Sequence, residues 1–252
     1  MALRLIICDV DGCVGPEESA AWDFERFARL AWAIRSANAG NSPPPPLTLC
    51  TGRPQPYVEC LMKLLDVRLP AICENGAVFY TLADNRARLA RSVDEAAIEG
   101  LREVRRFIER ILPGEFPGAV VQYGKEAQIS VYCGSPDGFP RLRERVAAFA
   151  RQRGGPDLHI TASQYYLNIS LRRADKGTAI DELLEMLGVR GEQAGGIGDT
   201  EGDLPLRRRV GWFACPSNAS AAIKAVADYV SPHGDALGVL DILEQPVFRA
   251  GS

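Results

Sequence analysis

Residues 3–16 read LRLIICDVDGCVGP: an apolar run, Leu3–Cys8, that ends in two carboxylates one residue apart, Asp9 and Asp11. A run that is apolar throughout, rather than alternating, suits a strand buried on both faces of a sheet. Charged residues placed directly after such a strand stand at its carboxyl end, where open parallel sheets hold their ligands. Taken alone, such a pair is more often a turn or helix cap. The rest of the chain has to decide.

Outward from this stretch, apolar runs alternate with helical patterns. Glu18–Ala39 repeats Phe24, Phe27, Ala31 and Ile34 at helical spacing. GNSPPPP at 40–46 then breaks the chain, because a proline run suits neither a helix nor a central strand and forms a stiff connector. Leu47–Cys50 is a second buried strand, Pro54–Asp66 a helix and Ala71–Cys73 a third strand. Such units imply a parallel sheet with helices on both faces. The same alternation returns after Lys176: a helix to Leu187, a strand at Ala194–Ile197, a short helix, a strand at Gly211–Ala214, a helix from Ala219 and a last one at Asp235–Leu243.

The middle of the chain differs. A helix (Asp94–Leu112) and two alternating strands (Ala119–Gly124, Ala127–Cys133) are followed by another helix (Gly138–Gln152) and two more strands (Leu158–Ala162, Tyr165–Leu171). Helix–strand–strand written twice, with no parallel crossover, implies a small antiparallel sheet covered by two helices. The expected fold class is therefore α/β: a doubly wound parallel-sheet core, residues 1–82 and 172–252, interrupted by an inserted α+β module, residues 83–171. By the two-residue period, Val121, Ile129, Val131, Leu158, Ile160, Leu167 and Ile169 fall on one face of the insert's sheet and should lie under its helices. Gln122, Gln128, Ser130, Tyr132, His159, Thr161, Tyr166 and Asn168 fall on the other.

Composition narrows the partners. The 252 residues are 46% hydrophobic and 24% charged with a net charge of −3, and no basic stripe argues for nucleic acid or a membrane surface. The arginines at 102, 105, 106 and 110 read as the wet face of the insert's first helix. No segment has the length of a signal-peptide core or a membrane span, so a cytoplasmic location is expected. Seven cysteines stand singly without C-x-x-C spacing, as reduced thiols do, and only His159 and His233 supply imidazole. Acid–base chemistry must lean on carboxylates.

These carboxylates converge. Asp9-Val10-Asp11-Gly12 follows the first strand, Thr51-Gly52-Arg53 the second, and GDTEGD at 198–203 the strand ending at Ile197, while Lys176 opens a helix in ADKGTAI. Two like charges ~4 Å apart repel by ~4 kcal/mol at an effective dielectric of ~20, so a cluster of them requires a cation. Hard oxygen donors that leave room for water and phosphate favour Mg²⁺. A metal beside carboxylates, a lysine and a threonine is equipment for phosphoryl transfer.

DVDG, TGR, DKG and GDTEGD, in this order, resemble the four motifs of the haloacid dehalogenase (HAD) superfamily of phosphatases, and the insert resembles the cap of its Cof-type, or IIB, subclass. ENGA at 74–77 and NAS at 218–220 resemble secondary signatures of that subclass. The resemblance implies that Asp9 is a nucleophile forming an aspartyl-phosphate and that Asp11 protonates the leaving oxygen, then activates water. It implies that Thr51, Gly52, Gly12 and Lys176 hold the phosphoryl group. Asp199 and Asp203 would complete a Mg²⁺ site with Asp9 and the backbone carbonyl of Asp11, with Asn75 and Asn218 as accessory residues. IIB caps resemble lids whose open sheet face meets the substrate, which assigns Tyr132, Asn168, Gln122 and Tyr166 to the leaving group. Two departures stand out: Cys13 where the family usually has threonine, and Gly202 where it usually has asparagine. The implied activity is Mg²⁺-dependent hydrolysis of a small soluble phosphate, a sugar phosphate or phosphoglycolate. A phosphotransferase of the phosphomannomutase type and a non-catalytic, phosphate-responsive module stay open at this point, as do the oligomeric state and the physiological substrate.

Overall fold

The computed structural model describes residues 3–16, 20–40, 44–162 and 165–248. The chain forms two compact units, Met1–Arg88 with Lys176–Ser252, and Leu89–Asp175. The start of the helix expected from Glu18 and the first proline of the 40–46 connector lie outside the described residues.

In the first unit, β1 (Leu5–Cys8) is followed by α1 (Phe24–Asn38), β2 (Leu47–Leu49), α2 (Gln55–Leu65), β3 (Ala71–Cys73), β4 (Val78–Thr81) and β5 (Arg86–Leu89). The insert contributes α3 (Glu95–Glu115), β6 (Val120–Val121), β7 (Gln128–Tyr132), α4 (Phe139–Gln152), β8 (Leu158–Ala162) and β9 (Tyr166–Leu171). The chain returns through α5 (Lys176–Leu187), β10 (Ala194–Ile197), α6 (Leu204–Arg207), β11 (Trp212–Cys215), α7 (Ala221–Lys224), β12 (Tyr229–Val230) and α8 (Asp235–Leu243).

Five strands form one parallel sheet in the order β12-β11-β10-β1-β2. Every residue of β1, β2 and β10 is buried, as unbroken apolar runs require when helices cover both faces. Cys8 pairs with Ile197 on one side and Leu49 on the other. This register brings the residues after β1, β2 and β10 to one edge, at the place where strand order reverses about β1.

Three expectations for this unit need correction. Ala71–Cys73 does not extend the parallel sheet; it leads an antiparallel sheet, β3-β4-β5, and meets β2 only through a bridge between Cys50 and Ile72. The chain reverses there because Glu74, Asn75 and Gly76 all take positive φ (50°, 56° and 107°). Strands β4, β5 and β12 were not anticipated. Phe24 does not share the buried stripe of α1: it opens the helix just after the Asp23 cap and points to solvent, while Phe27, Leu30, Ala31, Ile34 and Ala37 are buried.

The insert forms an antiparallel sheet in the order β6-β7-β9-β8. Ile129, Val131, Leu167 and Ile169 pack with Leu101, Val104 and Ile108 of α3 and with Leu142 and Val146 of α4; Val121, Leu158 and Ile160 join at the margin. All seven residues assigned to the helix-covered face are on it. Asp94 caps α3 by accepting the Ala97 N–H at 2.7 Å. No helix among the described residues is long and apolar enough to cross a membrane.

Candidate active site

The parallel register delivers Asp9 at the end of β1, its N–H bonded to the Ile197 carbonyl at 2.9 Å. The chain then turns tightly, with the amides of Cys13, Val14 and Gly15 all directed at the Val10 carbonyl. Gly12 has φ +70°, and a Cβ there would lie 2.0 Å from Asp199 Oδ2, so a side chain would collide with the carboxylate. Asp9 Oδ1 accepts the Val10 N–H at 2.8 Å, and its Oδ2 lies 3.0 Å from Lys176 Nζ. The same ammonium donates to Asp203 Oδ1 at 2.7 Å. Asp203 Oδ2 accepts the Asp199 and Thr200 amides at 3.0 and 3.3 Å. Gly198 is needed behind it, because a Cβ would come within 2.5 Å of Asp203 Cβ. Oxygens of Asp9, Asp199 and Asp203 all lie within 4.8 Å of one another, and all three residues are buried.

Two of the three buried carboxylates, Asp9 and Asp203, share one ammonium. Burial, and next the charge of Asp203, hold the Asp9 carboxyl well above the usual carboxylate range, with Lys176 opposing only in part. Burial pulls the Lys176 ammonium down, but Asp203 and Asp9 outweigh it and raise the group well above its ordinary value. The cluster thus carries more negative charge than its own lysine neutralises. A small divalent cation with an all-oxygen preference would relieve this, and the donor set fits Mg²⁺.

The Asp11 carboxylate stands apart from that trio. Arg53 grips it in a fork, Nε lying 2.9 and 2.8 Å from Oδ1 and Oδ2 and Nη2 bonding Oδ1. This partnership was not foreseen; the arginine of TGR was its one trace in the sequence. Thr51 is fully buried, and its Oγ1 accepts the Arg53 N–H at 3.2 Å. It does not cap α2, whose N-cap is Pro54 without a side-chain bond. The Asn75 side chain lies against Gly52, where a Cβ would approach its Oδ1 to 3.0 Å. Asn75 N–H bonds the Thr51 carbonyl at 3.0 Å, and Glu74 N–H the Arg53 carbonyl at 3.1 Å. Asn218 buckles two loops: its Nδ2 donates to the Gly12 carbonyl at 2.8 Å, and its Oδ1 accepts the Asp235 N–H at 2.9 Å.

The two departures from the family pattern have different characters. Cys13 is fully buried, and its hydrogen bond with Cys8, then burial, push its thiol well up, so it sits as a protonated filler rather than a nucleophile. At Gly202 a Cβ would meet only Thr200 Oγ1, at 3.4 Å, so nothing steric demands glycine there.

In the insert, Gln122 Nε2 donates to the Tyr166 hydroxyl at 3.1 Å, and the Tyr132 ring lies 5.5 Å from that of Tyr166. Asn168 Oδ1 accepts from Ser130 Oγ at 2.6 Å and Gln128 Nε2 at 3.2 Å. Lys125 Nζ lies 2.9 Å from Ser130 Oγ. The polar face is therefore internally bonded, and Gln128 and Ser130 within it are buried.

Residues 141–243 match the family of haloacid dehalogenase-like hydrolases. Phosphoglycolate phosphatase 1 of Saccharolobus solfataricus is 22% identical over 247 residues, covering 96% of this chain and 95% of that one. A crystal structure of the Thermoplasma acidophilum protein 0175 superposes with a TM-score of 0.75 at 24% identity, over 96% of this chain and 97% of the other. A HAD subclass IIB sugar phosphatase aligns with a TM-score of 0.62 at 15% identity, over 98% and 97%.

Proposed function

We propose that the chain, residues 141–243 of which match the haloacid dehalogenase-like hydrolases, is a Mg²⁺-dependent phosphomonoester hydrolase acting through an aspartyl-phosphate. The observation that carries this is the Lys176 ammonium shared between Asp9 and Asp203, with Asp199 in the same buried cluster. Asp9, Asp199 and Asp203, with the backbone carbonyl of Asp11, would hold the cation; when bound it supplies positive charge to the phosphoryl oxygens. An oxygen of Asp9 attacks phosphorus while the ester P–O bond breaks, its electron pair leaving on the alcohol oxygen. Asp11 gives that oxygen a proton. Asp11, now a carboxylate, takes a proton from water as the water oxygen attacks phosphorus, and the P–O bond to Asp9 breaks to release phosphate. Lys176 neutralises phosphoryl charge, and Thr51 with the backbone about Gly52 and Gly12 orients the group.

Small two- and three-carbon or sugar phosphates are the substrate class we assign. Relatives over almost the whole chain carry the name phosphoglycolate phosphatase, and the likeness extends to a sugar phosphatase in fold. Leaving-group discrimination we assign to Tyr132, Tyr166 and Gln122 of the insert. The test is phosphate release from 2-phosphoglycolate, a panel of sugar phosphates and p-nitrophenyl phosphate, with Mg²⁺ and with excess chelator. Release that requires the cation, needs no bisphosphate activator and disappears in Asp9→Asn is the expected result. Full turnover in chelator or in Asp9→Asn would overturn the proposal.

A further inference from the structure

Among the described residues, Lys176 and Arg53 divide three carboxylates of this sheet edge between them. Lys176 lies between Asp9 and Asp203. Arg53 takes Asp11 through three contacts, both carboxylate oxygens being engaged by a planar fork. A fork of this kind fixes direction as well as distance, which a single ammonium does not. We propose that Arg53 is a positioning residue that aims the Asp11 carboxyl at the leaving oxygen and holds it out of the Asp9–Asp199–Asp203 cluster.

Arg53 is itself held on several sides. Its N–H bonds Thr51 Oγ1, its carbonyl accepts the Glu74 N–H, and its guanidinium stands 5.0 Å from the centre of the Tyr57 ring in the first turn of α2. The Glu74 amide that anchors it comes from the turn where three consecutive residues take positive φ. Non-glycine residues in that region cost about 1–3 kcal/mol each and persist only where surrounding structure imposes them. Here that turn closes onto the backbone carrying the arginine, and the arginine onto the acid. An exposed surface pair would need none of this support. Without the fork, the Asp11 side chain would be free to rotate toward whatever cation the neighbouring trio holds, and an acid turned there is lost to the leaving group.

The inference rests on the role proposed for Asp11, and the experiment separates the two. An aryl ester such as p-nitrophenyl phosphate expels its oxygen without help, whereas glycerol phosphate needs a proton delivered as the bond breaks. The parameter to follow is kcat/KM, which covers steps through departure of the alcohol. A general acid contributes about 10²–10⁴-fold, so Arg53→Ala should depress glycerol phosphate about tenfold or more beyond its effect on p-nitrophenyl phosphate. Asp11→Asn should show the same tilt, and adding Arg53→Ala to Asp11→Asn should deepen it by less than about threefold, as expected for residues acting as one unit. Arg53→Lys, which keeps the charge but not the fork, should fall between. If Asp11→Asn shows the tilt and Arg53→Ala lowers both esters equally, whatever its unfolding midpoint, Arg53 is a structural residue and the inference fails. If Asp11→Asn shows no tilt, the role of Asp11 fails first and this inference with it.

Discussion

Asp9 answers two opposed demands, and the opposition is measurable. The nucleophile and metal ligand we propose must be ionised, yet burial and then Asp203 push its carboxyl up. An acid whose pKa rises on folding contributes stability that is present at low pH and lost as pH climbs through the raised value. Without a cation, the ionised form of this group is therefore a burden on the fold. Asp9→Asn, neutral at every pH, should raise the unfolding temperature of chelator-treated protein, by about 2–4 °C for each kcal/mol relieved. Mg²⁺ should stabilise wild type more than the variant, because ligation of the folded form alone shifts unfolding by mass action. Scanning calorimetry with and without chelator decides both; a midpoint lowered by Asp9→Asn in chelator would show that its pairing with Lys176 outweighs the crowding. Lys176→Ala removes the one ammonium inside the cluster and should cost about 10²-fold or more in kcat/KM, the scale of losing a preorganised electrostatic group. A loss below about threefold would exclude Lys176 from the chemistry. At this scale the aspartates and lysine could be placed from sequence because each follows a strand or opens a helix at one sheet edge. The Arg53–Asp11 fork could not, since it joins side chains 42 residues apart whose orientations depend on two turns.

Among the elements, the insert's sheet shows what alternation can and cannot foretell. Apolar residues with a two-residue period lie under α3 and α4 because helices cover that face and water excludes any other register. Nothing in the period says that Gln128 and Ser130, on the opposite face, are buried, since burial of polar groups depends on partners and not on pattern. Asn168 is such a partner, accepting from both. Asn168→Ala deprives two buried donors of this acceptor and should destabilise by about 1–3 kcal/mol. Chemical denaturation followed by far-ultraviolet circular dichroism measures it; an unchanged midpoint would leave Asn168 available for a role in substrate contact. The core's hairpin escaped prediction for a related reason. Ala71–Cys73 announces a buried strand, but three residues do not name their neighbour, and the positive-φ turn at Glu74–Gly76 sends the chain back as β4. β12 pairs through only two residues, too few for any periodicity to show.

Over the whole molecule, the chain leaves one compact unit at Arg88 and returns to it at Lys176. The insert has its own apolar core, built from contacts between neighbouring helices and strands of a single segment. Residues 89–175 made alone should therefore fold and unfold cooperatively in urea, and a broad, sloping transition would show that they depend on the flanking unit. The first unit has no such independence in time. On the ribosome Asp9 emerges early, but Ala194–Ile197, which pair with Leu5–Cys8 along their length, and Lys176, Asp199 and Asp203 all follow the insert. Until then a growing chain carries the nucleophile we assign without its counter-ion, its fellow ligands or one of the two strands that flank it. Synthesis arrested before residue 175 yields a fragment with the first two motifs and without Lys176, Asp199 or Asp203. On this assignment the order of the codons leaves the proposed hydrolytic site unassembled until residues on both sides of the insert have been made.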